Sequence, residues 1–215
     1  MELVQENVKY ELWEDLANAI SHGLGVVFGI IALIRLTYIA SVNGSVVDVI
    51  AFSLYGVSIL FMFTMSTVYH SIRNPKVKKV FRRLDHSMVY LLILGTYTPF
   101  VFTSLNTKLA HIVYIILAVI TILGIVYKSL FINKFKILST LMYVIMGWLC
   151  VMLISQLLER LPSQSIFFLV LGGVIYTAGA VIYAFSKFKY HHLIWHIFVL
   201  LGAISHYISI AYFVL

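Results

Sequence analysis

The sequence predicts an all-α protein, a bundle of seven transmembrane helices with the N-terminus cytoplasmic and the C-terminus extracytoplasmic. Three observations carry that expectation. Of 215 residues, 62% are hydrophobic and only 11% are charged, with a mean hydropathy of +1.01; a water-soluble domain of this size cannot hide so much apolar surface. Seven apolar stretches approach the roughly 20 residues that carry a helix across a bilayer. Basic residues gather in alternate loops, as they do on the cytoplasmic side of membrane proteins.

The opening MELVQENVKYELWEDLANA is acidic and polar and has no basic region ahead of a short apolar core, so no secretory signal is expected. Residues 1–19 read as a short cytoplasmic segment, and 20–215 as one membrane domain with no room for a second globular unit. The first span is expected over 20–41, closed by Asn43-Gly44-Ser45, and the second over 48–70, closed by Asn74-Pro75. The third covers 86–104 and ends before Asn106; the fourth covers 109–127, followed by Asn133. The fifth, 137–158, stops before Pro162-Ser163, and the last two cover 166–186 and 192–214. Gly172-Gly173 and Gly179 permit close helix packing, and Cys150, mid-span and alone, reads as a small core residue.

Lysine and arginine set the orientation. Lys9, Arg73, Lys76, Lys78, Lys79, Arg82, Arg83, Lys128, Lys134, Lys136, Lys187 and Lys189, twelve of the fifteen basic residues, fall on one side. Lys108 and Arg160 fall on the other, with Arg35 read as snorkelling towards it. That orientation is opposite to a G-protein-coupled receptor. The net charge of +7 follows from these short loops, so anionic lipid and not nucleic acid is the expected partner.

Polar residues then acquire a depth. Ser66 and His70 lie one helical turn apart at the inner end of span 2, Asp85 and His86 open span 3, and His192 and His196, again four apart, open span 7. Asn18 and His22 share the same spacing at the start of span 1. Ionisable groups at membrane depth are costly and are candidates for function. Three imidazoles and a carboxylate converging in one leaflet point to a metal: His70, His192 and His196 as ligands, with water completing the set as in catalytic zinc (Zn2+) sites. Asp85 is read as the group that holds this water or acts as general base, with Ser66 contacting a ligand or polarising a carbonyl. Asn18, His22 and His86 support the ligands from around the site. The competing readings are a salt bridge from Asp85 to Arg82 or Arg83, and a Ser66 hydroxyl bonded back to its own helix. His111 and His206 read as ordinary hydrogen-bonded histidines. No HExxH motif, set of several histidine boxes or phosphate-binding glycine loop is present.

Ser66-xxx-His70, Asp85 after a basic loop and His192-xxx-His196 together resemble the progestin and adipoQ receptor superfamily. The run Glu14-Asp15-Leu16-Ala17-Asn18-Ala19-Ile20-Ser21-His22-Gly23 resembles its bacterial branch, the hemolysin III family, and a Tyr97-Thr98-Pro99 turn in span 3 is similar too. The resemblance covers essentially the whole chain. It implies a bacterial plasma-membrane protein with seven helices, a cytoplasmic N-terminus and an intramembrane zinc on His70, His192 and His196, with Asp85 contacting the zinc-bound water. The adiponectin receptors are linked to hydrolysis of the ceramide amide bond, so the implied activity is hydrolysis of a membrane lipid amide or ester. Two alternatives stand beside it: a non-enzymatic membrane-homeostasis sensor with zinc as a structural clasp, and the cytolysin that the branch name implies.

Overall fold

The computed structural model describes residues 2–132, 136–186 and 188–215, and only the backbone of residues 2–11 and 136. Asn133, Lys134 and Lys187, and the side chains of Lys9 and Lys136, therefore lie outside the described residues. The elements are α1 (Glu2–Asn43), α2 (Val46–Ser71), α3 (Pro75–Pro99) running on into a π-helical turn (Phe100–Leu105), and α4 (Lys108–Phe131). Then come α5 (Lys136–Trp148), a 3-10 segment (Leu149–Leu153) and α6 (Ile154–Arg160), which together make the fifth span, followed by α7 (Ser163–Phe185) and α8 (His191–Phe213). Seven of these stretches are long and apolar enough to cross a membrane.

Local chemistry explains most helix ends. Ser45 and Asp48 form a reciprocal capping box at the start of α2, with the Ser45 backbone N–H donating to Asp48 Oδ2 at 2.6 Å. Asn74 Oδ1 accepts from the backbone of Lys76 at 3.0 Å and Val77 at 3.3 Å, and Pro75 occupies the first turn of α3. Two helices start earlier than an apolar window reveals. α1 runs unbroken from Glu2 and α3 from Pro75, because an amphipathic turn continues a helix after its hydropathy has fallen.

Tyr97-Thr98-Pro99 is helical, not a turn; Pro99 lacks an N–H, and the helix loosens just beyond it into the π-helical segment. That segment ends at Asn106, whose φ of 43° is left-handed. Its carbonyls at Ser104 and Leu105 accept from Arg160 at 3.2 and 2.8 Å. The fifth span changes winding where the Tyr97 hydroxyl enters it. Tyr97 Oη accepts from Cys150 N–H at 2.7 Å and faces the carbonyls of Met146 and Gly147 at 3.0 and 2.9 Å.

Glycine allows α1 and α2 to approach backbone to backbone. A Cβ at Gly29 would meet Leu60 Cα at 2.9 Å, and one at Gly56 would meet Leu33 Cα at 2.7 Å. Gly172 and Gly179 accept the His206 and Phe198 side chains of α8, whereas Gly173 leaves 3.5 Å to Trp148. Phe52, Tyr55, Ile59, Phe63 and Tyr90 are wholly buried in the core.

Two cations are tied into the bundle. Arg35 is held by α8: its guanidinium donates to Tyr207 Oη at 3.3 Å and Tyr212 Oη at 2.5 Å, and lies 4.0 Å over the Tyr212 ring. Lys128 belongs to the last turn of α4 and is 3% exposed, its long aliphatic stem packed into the bundle. The end of α2 and the starts of α3 and α8 meet the first half of α1 at one end of the bundle.

Candidate metal centre

At that end His70 sits in the last turn of α2, and His192 and His196 in the first two turns of α8. Each offers one ligand atom, and the three atoms lie within 4.8 Å of one another. Donors around a tetrahedral ion with bonds near 2.0–2.1 Å stand about 3.3 Å apart, so modest side-chain movement closes the set. The rings stand 5.2 Å (His70–His192), 5.0 Å (His70–His196) and 4.6 Å (His192–His196) apart, centroid to centroid.

Hydrogen bonding selects which nitrogens face inward. His70 Nδ1 bonds Asp15 Oδ1 at 2.8 Å, leaving Nε2 buried without a partner. His196 Nδ1 lies 3.3 Å from both the Asn18 carbonyl and Ser21 Oγ, which leaves Nε2 as the nitrogen available to a metal. His192 Nε2 is buried and unpartnered as well. Buried polar atoms without partners are rare and costly. Two such nitrogens beside a third imidazole suit a cation that accepts lone pairs, so the residues present fit a metal.

Asp15 is the residue that reading the sequence for site chemistry missed. It joins α1 to the ligand set: Oδ1 meets His70 while Oδ2 pairs with Lys78 Nζ of α3. A carboxylate on the far nitrogen of a ligating histidine fixes its tautomer and raises its basicity. The available signal was helical spacing, because Asp15, Asn18 and His22 follow one another at three and four residues on one face of α1.

Asp85 is 6% exposed, and its Oδ2 lies 3.3 Å from His86 Nδ1, so its neighbouring imidazole is its ion-pair partner. The same Nδ1 faces the Arg82 carbonyl at 2.9 Å, and Tyr143 of α5 donates to the His86 carbonyl at 3.0 Å. Ser66 is fully buried; its Oγ is not bonded back to its own helix and faces the Asp85 carboxylate. Asn18 Oδ1 and both nitrogens of His22 are buried and unpartnered. His206, by contrast, stands far along α8, bonded through Nε2 to the Leu169 carbonyl at 3.1 Å.

A small cavity opens beside the candidate ligands, lined among others by His22, Asp85, His86, His192 and His196; Ser66 is not on its wall. A second, mostly apolar cavity of about 140 Å3 shares Met62, Val89, Tyr143 and Trp195 with the first. It extends between α3, the fifth span, α7 and α8 as far as Leu157 and His206. The cluster thus combines three imidazoles, a carboxylate on a small pocket and an adjoining apolar cavity between the helices.

Residues 10–207 match the family described as Haemolysin-III related. "Hemolysin-3" of Bacillus cereus is 43% identical over 202 residues, which cover 94% of this chain and 92% of that protein. "Hemolysin-3 homolog" of Bacillus subtilis (strain 168) is 38% identical over 204 residues, 95% and 96% of the two chains. The likeness reaches "Monocyte to macrophage differentiation factor" of Homo sapiens, at 27% identity over 164 residues, 73% of this chain and 67% of that one. Seven apolar helices and these bacterial relatives make the chain a multi-pass protein of the bacterial plasma membrane. It belongs to the haemolysin III family.

Proposed function

We propose that this haemolysin III-family protein is a zinc-dependent hydrolase of a lipid amide or ester, working in the cytoplasmic leaflet. The observation that carries the reading is the juxtaposition just described: free imidazole nitrogens and Asp85 on a small pocket that adjoins an apolar cavity. The orientation rests on the basic residues between His70 and Asp85, which belong on the cytoplasmic face.

Zinc on His70, His192 and His196 would supply Lewis acidity to a carbonyl and to water. Asp85 accepts a proton as the water oxygen bonds to the carbonyl carbon. It returns that proton to the leaving nitrogen or oxygen as the old bond breaks, giving a carboxylic acid and an amine or alcohol. Ser66, one turn from His70 and beside the Asp85 carboxylate, assists that base. Asp15 and Asn18 hold His70 and His196 in orientation, and His86 does the same for Asp85. The apolar cavity receives the acyl chain, which in the membrane is already free of water.

The test is hydrolysis of ceramide and of a long-chain fatty acyl ester by zinc-loaded protein in micelles, beside Asp85→Asn. The variant should keep its zinc and lose turnover; full turnover with zinc bound removes Asp85 from the base role. The name hemolysin, borne by the two bacterial relatives, favours a second reading, a cytolysin. Dye release from liposomes by pure protein would support it, and tight liposomes would exclude it. A purely structural clasp predicts instead that chelation unfolds the bundle while no lipid is cleaved.

A further inference from the structure

We propose that His22 is a catalytic residue: a ring N–H of His22 donates a hydrogen bond to the carbonyl oxygen of the lipid amide or ester as negative charge builds on it, an inference that rests on the hydrolase reading above. His22 is wholly buried, yet neither ring nitrogen has a hydrogen-bond partner. A core histidine ordinarily satisfies both. A neutral imidazole keeps one N–H, so a donor stands in the pocket wall without an acceptor.

Ligation of the same metal does not account for it. The His22 ring stacks on His196 with centroids 3.6 Å apart and planes 9° from parallel. An imidazole binds a metal through a lone pair in its own ring plane. The lone pairs of His22 and His196 run in parallel planes about one ring thickness apart, so the two rings would not converge on one ion. The edge of His22 is instead free for an atom in the neighbouring layer of the pocket, whose walls it shares with Asp85 and His192. Phe63 packs against the same ring at right angles, with centroids 5.0 Å apart, and helps to hold it in place.

A rigid, dry donor on the wall of a pocket where a carbonyl reacts is what oxyanion stabilisation requires. It requires no change of protonation at His22. Its benefit is realised in the transition state, because the carbonyl oxygen gains charge only as the water oxygen adds. The His22 N–H should therefore affect kcat far more than KM.

The experiment compares zinc-loaded wild type with His22→Phe, which keeps an aromatic ring against His196 and removes both nitrogens. Ceramide and a long-chain fatty acyl ester serve as substrates, with a long-chain alkyl phosphonate as tetrahedral inhibitor. His22→Asn and His22→Gln restore an amide N–H near the positions of Nδ1 and Nε2 and guard against a Phe variant that misfolds. The expected result is unchanged zinc content and KM, with kcat lower by roughly 100-fold. Phosphonate binding should weaken in step, and one amide variant should recover part of the loss. Wild-type kcat in His22→Phe overturns the proposal, and so does loss of zinc, which would make His22 part of the metal shell. Zinc-loaded wild type that cleaves neither substrate defeats the hydrolase reading itself, and this inference falls with it.

Discussion

Asp15 accepts from His70 Nδ1 at 2.8 Å with one oxygen and holds Lys78 with the other, so removing its charge should loosen the metal before it disturbs the fold. Partners of this kind on a ligating histidine contribute about 10- to 100-fold in metal affinity, or roughly 1.4–2.7 kcal/mol. Asp15→Asn keeps a neutral oxygen for the imidazole N–H and should stand near the lower figure, about 10-fold. Asp15→Ala leaves His70 without a partner and should approach 100-fold. Lys78→Met breaks only the outer contact. Its side chain and that of Asp15 are 28% and 31% exposed, so solvent screens the pair to about 0–1 kcal/mol and the loss should stay below roughly fivefold. The assay is competition for zinc between detergent-solubilised protein and a chelator of known affinity, with thermal melting of the metal-free forms to confirm folding. An Asp15→Ala protein that melts normally and binds zinc like wild type would refute the orienting role.

Other perturbations probe the ligands, the packing and the topology. Elemental analysis of His196→Ala beside wild type should find about one zinc per chain in the parent and none in the variant; no metal in either would remove zinc from the account. Gly56→Leu pushes a side chain onto the Leu33 backbone and should lower stability by about 1–3 kcal/mol, read as a fall in thermal midpoint. With Cys150 replaced by alanine, single cysteines at Lys79 and Lys108 should label from the cytoplasmic and outer faces respectively. Reversed labelling would move the metal centre to the other leaflet.

The seven spans are legible because each carries its own hydropathy, and Asn74-Pro75 and Asn43-Gly44-Ser45 mark boundaries with capping chemistry. The candidate ligands His192 and His196 are legible because four-residue spacing on one helix is local information. The partners of those ligands come from elsewhere in the chain. Asp15 lies in a polar stretch ahead of the first apolar window, and only the approach of α1 to the end of α2 shows that it faces His70. The 3-10 segment of the fifth span depends on the Tyr97 hydroxyl from another helix, which no pattern within residues 149–153 reveals. Arg35 reads as outward-reaching, and only the fold shows that Tyr207 and Tyr212 of α8 receive it.

The placement of the site also bears on how it is assembled. Its ligands sit on α2 and α8, its supports on α1 and α3, and its apolar extension between α3, the fifth span, α7 and α8. The α1–α2 pair can form early, because a short connection joins them and glycines bring their backbones together. His70 and Asp15 are then in place, but a lone ligand on a half-built bundle binds a metal weakly. The set is complete only when α8, the last element of the chain, docks with His192 and His196. Metal binding therefore favours docking of α8 by mass action. The same docking brings Trp195 to the shared wall of the two cavities, so the candidate ligand set and the apolar cavity are completed by one packing event. A protein stripped of zinc should consequently expose α8 to proteolysis before α1 and α2. Equal protection of all three helices would show that the bundle closes without the metal, and that the ligands serve chemistry alone.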